Sequence, residues 1–250
     1  MNASLFEYLL RLGDDRLVLG HRLSEWCGHG PILEEDIATT NIALDLLGHA
    51  SMFLRLAGQV EGRGRDEDAL AYWRDEHELR NLQLCELPNG DFGFTILRQF
   101  LFDAWSLQLL EALSGSSHAD LAGIAGKAVK ETRYHLRHSG EWVLRLGDGT
   151  AESHGRMQAA LDELWPWTGE LSYQDDVELA LREQGMVPDL ATLRTAWEAL
   201  TRDLLARATL TVPETPPRMT GGRVGRHTEH LGHMLAEMQI VARSHPGARW

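Results

Sequence analysis

The stretch that most clearly sets the fold runs from Phe92 to Leu113 and reads FGFTILRQFLFDAWSLQLLEAL. Its apolar residues recur at helical spacing and surround the helical wheel almost completely. A helix that is apolar nearly all round is buried among other helices. The sequence therefore predicts a central helix over 92–113, with Asp103 as a lone acid inside the most apolar segment of the chain.

Helical periodicity continues on both sides of this segment, and glycine, proline and polar clusters separate the periodic stretches. Four long helices with short connections are typical of an antiparallel bundle. The predicted core of the bundle spans about 33–146 and contains helices over 33–57, 66–85, 92–113 and 120–146. An N-terminal helix over 4–27 precedes it. The C-terminal part, 152–250, is predicted to contain helices over 152–171, 176–184, 189–208 and 228–243, with an extended linker over 212–226. We expect residues 1–250 to form a single domain.

Composition excludes several classes of protein. The formal net charge is -13, which disfavours binding to nucleic acids or to anionic membranes. No apolar run approaches the roughly 20 residues that a membrane span requires, and the N-terminus has no signal-peptide pattern. The two cysteines, Cys27 and Cys85, form no CxxC motif. A reducing, cytoplasmic setting is therefore expected.

Acidic residues on inward helix faces are the informative ones, because a buried carboxylate is costly unless it is paired or bound to metal. Each of the four predicted core helices supplies an acid near its middle: Asp45, Asp75, Asp103 and Glu131. His135 lies four residues after Glu131 and shares its face. This layout resembles ferritin-like di-iron proteins, which use two single Glu ligands and two Glu-x-x-His pairs. The predicted fold class is thus all-α, a ferritin-like helical bundle with additional C-terminal helices.

The ligand set is nevertheless incomplete. None of the 12 histidines has Glu or Asp three residues before it, so the chain contains no Glu-x-x-His pair. We therefore predict no metal, cofactor or catalytic residue in this chain, and only a degenerate site formed by Asp45, Asp75, Asp103, Glu131 and His135. Lys127, four residues before Glu131, is a candidate to compensate a buried acid. The alternative is a surface lysine in an ordinary i,i+4 ion pair.

A histidine cluster and a glycine-rich loop are weaker signals. His227, His230 and His233 recur every three residues, and zinc sites do use histidines at helical spacing. The cluster has no partnered glutamate in HExxH order, which favours surface or interface histidines. The loop from Gly221 to Arg226 follows no predicted strand, so a docking linker is a better interpretation than a phosphate-binding loop.

Six blocks of sequence, taken together in their order and spacing, resemble one family. The blocks are 12–19, 23–29, 41–48, 88–92, 130–137 and 227–232 followed by 234–239, with His233 as a departure from the family pattern. They are similar to the structural, non-catalytic subunit of bacterial phenylacetyl-CoA epoxidase, the ring 1,2-phenylacetyl-CoA monooxygenase of aerobic phenylacetic acid degradation. The resemblance covers nearly the whole chain.

The resemblance implies a component of a monooxygenase complex that depends on NADPH and O2. In that family a homologous partner subunit carries the di-iron centre and the substrate pocket, and it converts the aromatic ring to an epoxide. A reductase with flavin and an iron–sulfur cluster delivers electrons from NADPH and binds transiently. The subunit resembled here has no cofactor, binds and stabilises the catalytic subunit, and self-association is a further expectation.

Two other functions stay open from the residues. The first is a di-iron oxygenase in its own right, with the atypical ligands Asp45, Asp75, Asp103, Glu131 and His135. The second is a helical interaction module unrelated to oxygenases. Iron content of the purified chain separates the first from a structural subunit, and complex formation with a di-iron homologue separates the second.

Overall fold

A computed structural model describes residues 2–214, 216–217 and 219–248. In these ranges the chain forms α-helices and 3-10 turns and no β-strand, which confirms the all-α class. The helices are α1 (Ala3–Ser24), α2 (Leu33–Glu61), α3 (Glu67–Tyr72), α4 (Gln83–Glu86), α5 (Phe92–Leu113), α6 (Ala119–Gly147), α7 (Ala151–Leu164), α8 (Asp176–Glu183), α9 (Leu190–Arg207) and α10 (Glu229–Ser244).

Local sequence sets the ends of the long helices. The side chain of Asp91 accepts a hydrogen bond from the backbone N–H of Phe94 and begins α5, as an N-cap does. Asn2 caps α1 in the same way. Helix α2 ends at Gly62, whose φ of 69° is the left-handed conformation that glycine adopts at helix C-termini.

The ferritin-like bundle consists of α1, α2, α5 and α6. Helix α1 packs along α2, α5 packs along α6, and α2 faces α6 across the bundle. Helix α5 is buried on all sides over most of its length, which confirms the prediction of a central helix. Around it, α9 adds a further layer, where the indole N–H of Trp197 donates a hydrogen bond to the carbonyl of Leu101 at 3.0 Å.

The predicted helix over 66–85 is wrong. The segment contains the six-residue α3, a 3-10 turn over Glu76–Glu78 and the four-residue α4. Asp75 starts the turn. Its backbone N–H donates a hydrogen bond to the side chain of Glu78 at 2.8 Å. Such a capping box begins a new helical turn rather than continuing an old one. The fourth long helix of the bundle is therefore α1, and the core does not begin at residue 33.

Helix α1 supplies the contacts that hold this irregular segment. Asp14 pairs with the buried guanidinium of Arg74 and accepts a hydrogen bond from the backbone N–H of Arg80 at 2.8 Å. Asp15 accepts one from the N–H of Leu82 at 2.8 Å. The backbone donors that a helix would satisfy internally are satisfied here by carboxylates of α1, which removes the penalty for an irregular chain.

The C-terminal part follows the prediction in outline. The predicted helix over 152–171 changes at Trp165 into a 3-10 helix, because Pro166 has no N–H to donate to the α-helical ladder. The described residues of the predicted linker contain only the short 3-10 turn Gly222–Val224.

In the part of the chain that the structure describes, none of the helices combines the length and the apolar content of a membrane span. The assignment of the whole chain to one domain stays a prediction.

Candidate functional site at the centre of the bundle

Two imidazole–carboxylate pairs connect α2 and α6. The Nε2 atom of His49 on α2 lies 2.5 Å from Glu131 on α6, and the Nε2 atom of His135 on α6 lies 3.0 Å from Asp45 on α2. Each helix thus contributes one acid and one histidine, four residues apart and on one face. Since the helices run antiparallel, the acid of each helix meets the histidine of the other.

A third pair extends this arrangement toward the start of α2. His138 Nε2 lies 2.8 Å from Glu35. We call these three pairs, His49–Glu131, His135–Asp45 and His138–Glu35, the imidazole–carboxylate ladder. The ladder ties α2 to α6 at three points along their length.

His49 is uncharged at neutral pH. Burial of its ring lowers its pKa to about 3, and the positive charge of Arg16 acts in the same direction. A neutral His49 therefore donates its Nε2 hydrogen to the Glu131 carboxylate. Its Nδ1 atom then carries a lone pair, is buried, and has no hydrogen-bond partner among the described residues. The Nδ1 atoms of His135 and His138 are also buried and have no partner there.

Asp103 on α5 is the fully buried acid of the site. Its two oxygens accept hydrogen bonds from Gln99 Nε2 at 2.7 Å and from Ser139 Oγ at 2.9 Å. Burial raises its pKa to about 7, although His135 and the two hydrogen bonds favour the ionised form. Asp103 is therefore partly protonated at neutral pH.

Arg16 on α1 places a cation in the same core. The guanidinium is buried, donates hydrogen bonds to Leu12 O and Ser106 Oγ, both at 2.9 Å, and lies 5.0 Å above the ring of Phe53. Burial lowers the pKa of this guanidinium. Its hydrogen bonds to these neutral oxygens and its aromatic contact hold it in place.

Comparison with known proteins identifies the family of the chain. A profile of the family described as "Phenylacetic acid catabolic protein" matches residues 1–250. The chain belongs to this family. A relative in Escherichia coli (strain K12), a subunit of 1,2-phenylacetyl-CoA epoxidase, is 52% identical over 246 residues, which cover 98% of this chain and 99% of the relative.

Four of the predicted site residues of this family member lie on the three helices around the centre. Asp45, Asp103, Glu131 and His135 come from α2, α5 and α6. Asp75 does not join them, because the helix expected to carry it is absent. It caps a 3-10 turn and forms an exposed ion pair with Arg243 at 3.0 Å.

Lys127 is also outside the centre. It lies on the exposed side of α6, because its position is rotated outward from the histidines that face α2. Its charge acts on His49 less strongly than that of Arg16. Arg16 is the buried cation that acts on the imidazole of His49.

The sequence contains signals for the two residues that the prediction missed. Arg16 lies among the leucines that form the buried face of α1. A charged residue at such a position is costly and therefore indicates a specific role. His49 follows Asp45 by four residues, as His135 follows Glu131. A test for acids three residues before a histidine does not detect this spacing, although i,i+4 neighbours also share a face.

The donor set differs from that of a di-iron centre, which takes four carboxylates and two imidazoles. Here the Nε2 atoms are bonded to Asp45 and Glu131, Asp103 is bonded to neutral donors, and Arg16 adds a positive charge. Within the described residues, no three His, Cys, Asp or Glu side chains converge as metal ligands.

The histidine cluster at the start of α10 also does not converge. His227 is a core residue whose Nδ1 lies 2.7 Å from Glu86, with both side chains buried. His230 is half-buried and His233 is exposed.

The loop from Gly221 to Arg226, which we predicted to be a docking linker, packs against its own chain. Arg223 forms a bidentate pair with Asp15 at 2.8 and 2.9 Å.

Proposed function

We propose that this chain is the non-catalytic structural subunit of a phenylacetyl-CoA epoxidase, and that it binds and stabilises a homologous catalytic subunit with a di-iron centre. Full-length similarity to a subunit of such an epoxidase supports the assignment to that complex. The chemistry at the centre of the bundle supports the non-catalytic role.

The observation that carries the proposal is the buried guanidinium of Arg16 in a core whose acids are already paired. A buried charge is stabilised by opposite charge and destabilised by like charge. Two ferrous ions next to this guanidinium would face repulsion in a medium of low dielectric constant. They would also have to displace His49 from Glu131 and His135 from Asp45.

The alternative, a di-iron oxygenase with an atypical ligand set, has one observation in its favour. The Nδ1 atoms of His49 and His135 are buried without partners, and a buried unpaired acceptor is a potential ligand. Against it, the predicted ligand Asp75 is remote from the centre and exposed. The ladder accounts for Asp45 and Glu131 without metal, and Gln99 and Ser139 satisfy Asp103.

Co-expression with the homologous catalytic subunit tests the proposal. We expect a stable complex in which iron follows the catalytic subunit, and ring epoxidation that needs both chains together with the reductase, NADPH and O2. The double variant His49→Gln/His135→Gln keeps a hydrogen-bond donor toward each carboxylate. In a complex of unchanged size it should leave iron content and the rate of epoxidation within about twofold.

A parallel variant in a predicted iron ligand of the catalytic subunit serves as the positive control, because it should abolish activity. Loss of iron and activity in the His49→Gln/His135→Gln complex, at unchanged size, would favour the di-iron alternative. The proposal further places the complex in the cytoplasm, which suits the two free cysteines of this chain.

A further inference from the structure

The outer surface of α2 is unusually apolar. Leu33, Ile37 and Leu44 project from it with 71%, 52% and 60% of their surfaces exposed. Separations of four and seven residues place them on one helix face, over a length of about 16 Å. Single exposed apolar residues need no explanation, but an aligned stripe marks an interaction surface.

The neighbouring surface of α6 is basic. Lys127 and Lys130 are the only lysines of the chain, and both are exposed on this helix together with Arg137. Their spacings of three and seven residues keep them on one side of α6. In a protein with a net charge of -13, this concentration of cations is a distinct local feature.

The imidazole–carboxylate ladder joins the two helices that carry these stripes. Tyr134, 41% exposed, lies beside the rings of His135 and His138 on α6, and both of these histidines contact α2. Asp45 and Glu131, the acids of the ladder, each remain 36% exposed. We call this surface the α2–α6 face, with an apolar end (Leu33, Ile37, Leu44, Tyr134) and a basic end (Lys127, Lys130).

We propose that the α2–α6 face is the docking surface for the catalytic subunit, and that the partner presents an apolar patch bordered by carboxylates. This inference rests on the proposed function, which it deepens by naming the surface. Burial of the aromatic and aliphatic side chains supplies affinity. The cations at one end pair with the partner's acids and fix the orientation in which the two bundles meet.

Charge argues for a partner rather than a second copy of this chain. A two-fold dimer through the α2–α6 face has two possible orientations. With the helices of the two copies antiparallel, Lys127 and Lys130 would be buried against the apolar end of the other copy, which costs desolvation without an opposite charge. With the helices parallel, Lys127, Lys130 and Arg137 would lie close to the same residues of the other copy. Like charges facing each other across an interface disfavour that pairing. A partner with acids at its rim gains attraction from the same three residues.

A second exposed apolar patch provides a matched control. Ile240 and Val241 on α10 are 58% and 54% exposed, and Val241 lines a surface groove with Trp73. Both residues lie outside the α2–α6 face. Substitutions on α10 therefore remove exposed apolar side chains, two rather than three, without touching the proposed docking surface.

The test measures binding of the intact chain to the catalytic subunit by surface plasmon resonance. We expect Leu33→Ser/Ile37→Ser/Leu44→Ser to raise Kd by about 100-fold or more, as for the loss of several interface anchors. Lys127→Glu/Lys130→Glu should raise Kd by about 10-fold and weaken its dependence on salt. Ile240→Ser/Val241→Ser, and Arg207→Glu as a charge control on α9, should stay within about twofold.

Circular dichroism and thermal unfolding verify that each variant is folded, which we expect because the substituted positions are exposed.

The docking surface would be rejected if both α2–α6 variants bound the catalytic subunit as tightly as the unmodified parent chain, or if only the α10 variant lost binding. Either result would leave the proposed function standing. A parent chain that does not bind the catalytic subunit defeats the proposed function itself. A parent that forms a stable dimer disrupted by the α2 variant, with partner binding unchanged, assigns the face to self-association and rejects the proposal.

Discussion

Two groups of charged side chains inside the bundle differ in how completely they are satisfied. Beside α1, Asp14 and Asp15 bind the guanidinium groups of Arg74 and Arg223 and also accept backbone N–H groups. Between α2, α5 and α6, the imidazole–carboxylate ladder leaves three buried ring nitrogens, the Nδ1 atoms of His49, His135 and His138, without partners among the described residues. Burial raises the pKa of both Asp15 and Asp103, but Arg223 opposes the rise at Asp15, whereas the hydrogen bonds to Asp103 come from neutral groups.

The difference separates a structural network from a residue set typical of metal chemistry. The Asp–Arg network beside α1 stabilises a segment that forms no long helix. Its carboxylates bind the irregular segment 73–82 and the turn that contains Arg223. The ladder has acids and imidazoles, the residue types that di-iron bundles use as ligands, but here they bind one another. We therefore expect the first group to dominate stability and the second to respond mainly to pH.

The largest effect is predicted for Arg223→Met. This substitution leaves the buried carboxylate of Asp15 without its counter-ion, and such losses typically cost about 3–5 kcal/mol. Urea unfolding followed by circular dichroism gives the change in the free energy of unfolding. Adding Asp15→Asn removes the uncompensated charge and keeps an acceptor for the Leu82 N–H, so the double variant should be more stable than Arg223→Met. An equally unstable double variant would contradict this account of the network.

An intermediate effect, with a defined pH window, is predicted for Asp103→Asn. The unfolded chain releases this proton near pH 4, whereas burial raises the pKa of folded Asp103 to about 7. The parent therefore loses stability from this group as pH rises from about 4 to 7. The variant lacks that loss, so its stability relative to the parent should increase across this window, by an amount on the order of 2 kcal/mol.

His49 contributes an opposite slope, because its folded pKa of about 3 means that only the unfolded chain binds a proton as pH falls below 6.5. Since this contribution is the same in both proteins, the difference between the Asp103→Asn variant and the parent isolates Asp103. Urea titrations at pH 4.5, 6 and 8 measure it. A constant difference at all three values would show that Asp103 titrates normally.

The smallest effect is predicted for Lys127→Met. An exposed lysine without a buried partner changes stability by less than about 0.5 kcal/mol. The matched variant Arg16→Met removes the buried cation and should cost several times more, because it also removes the hydrogen bond to Ser106 and leaves a gap in the core. Thermal unfolding of both variants decides whether the compensating cation is Arg16 or Lys127.

The long helices could be predicted because their signals are local. The periodicity of 92–113 and the cap at Asp91 are properties of adjacent residues. The segment 66–85 could not be predicted, since its backbone is satisfied by Asp14 and Asp15, which lie about 60 residues earlier in the chain. The sequence of this segment has a helical pattern, but tertiary hydrogen bonds determine its backbone conformation, because local propensity is only a weak preference.

The candidate site was predictable in part for the same reason. Asp45, Asp103, Glu131 and His135 share inward faces with leucines, so the pattern identified them. The role of Arg16 depends on a neighbouring helix that the pattern placed outside the core bundle. The absence of a Glu-x-x-His pair predicted a degenerate site. The pairing of each histidine with an acid of the other helix could not be predicted, because it depends on how α2 and α6 pack against each other.

The most direct test of the central claim is a crystal structure of this chain in complex with the proposed catalytic subunit, grown with ferrous iron and measured at the iron absorption edge. We predict anomalous peaks in the bundle of the partner only, with His49 and His135 still bonded to Glu131 and Asp45. Two peaks between α2, α5 and α6 of this chain, with Arg16 displaced, would contradict the account.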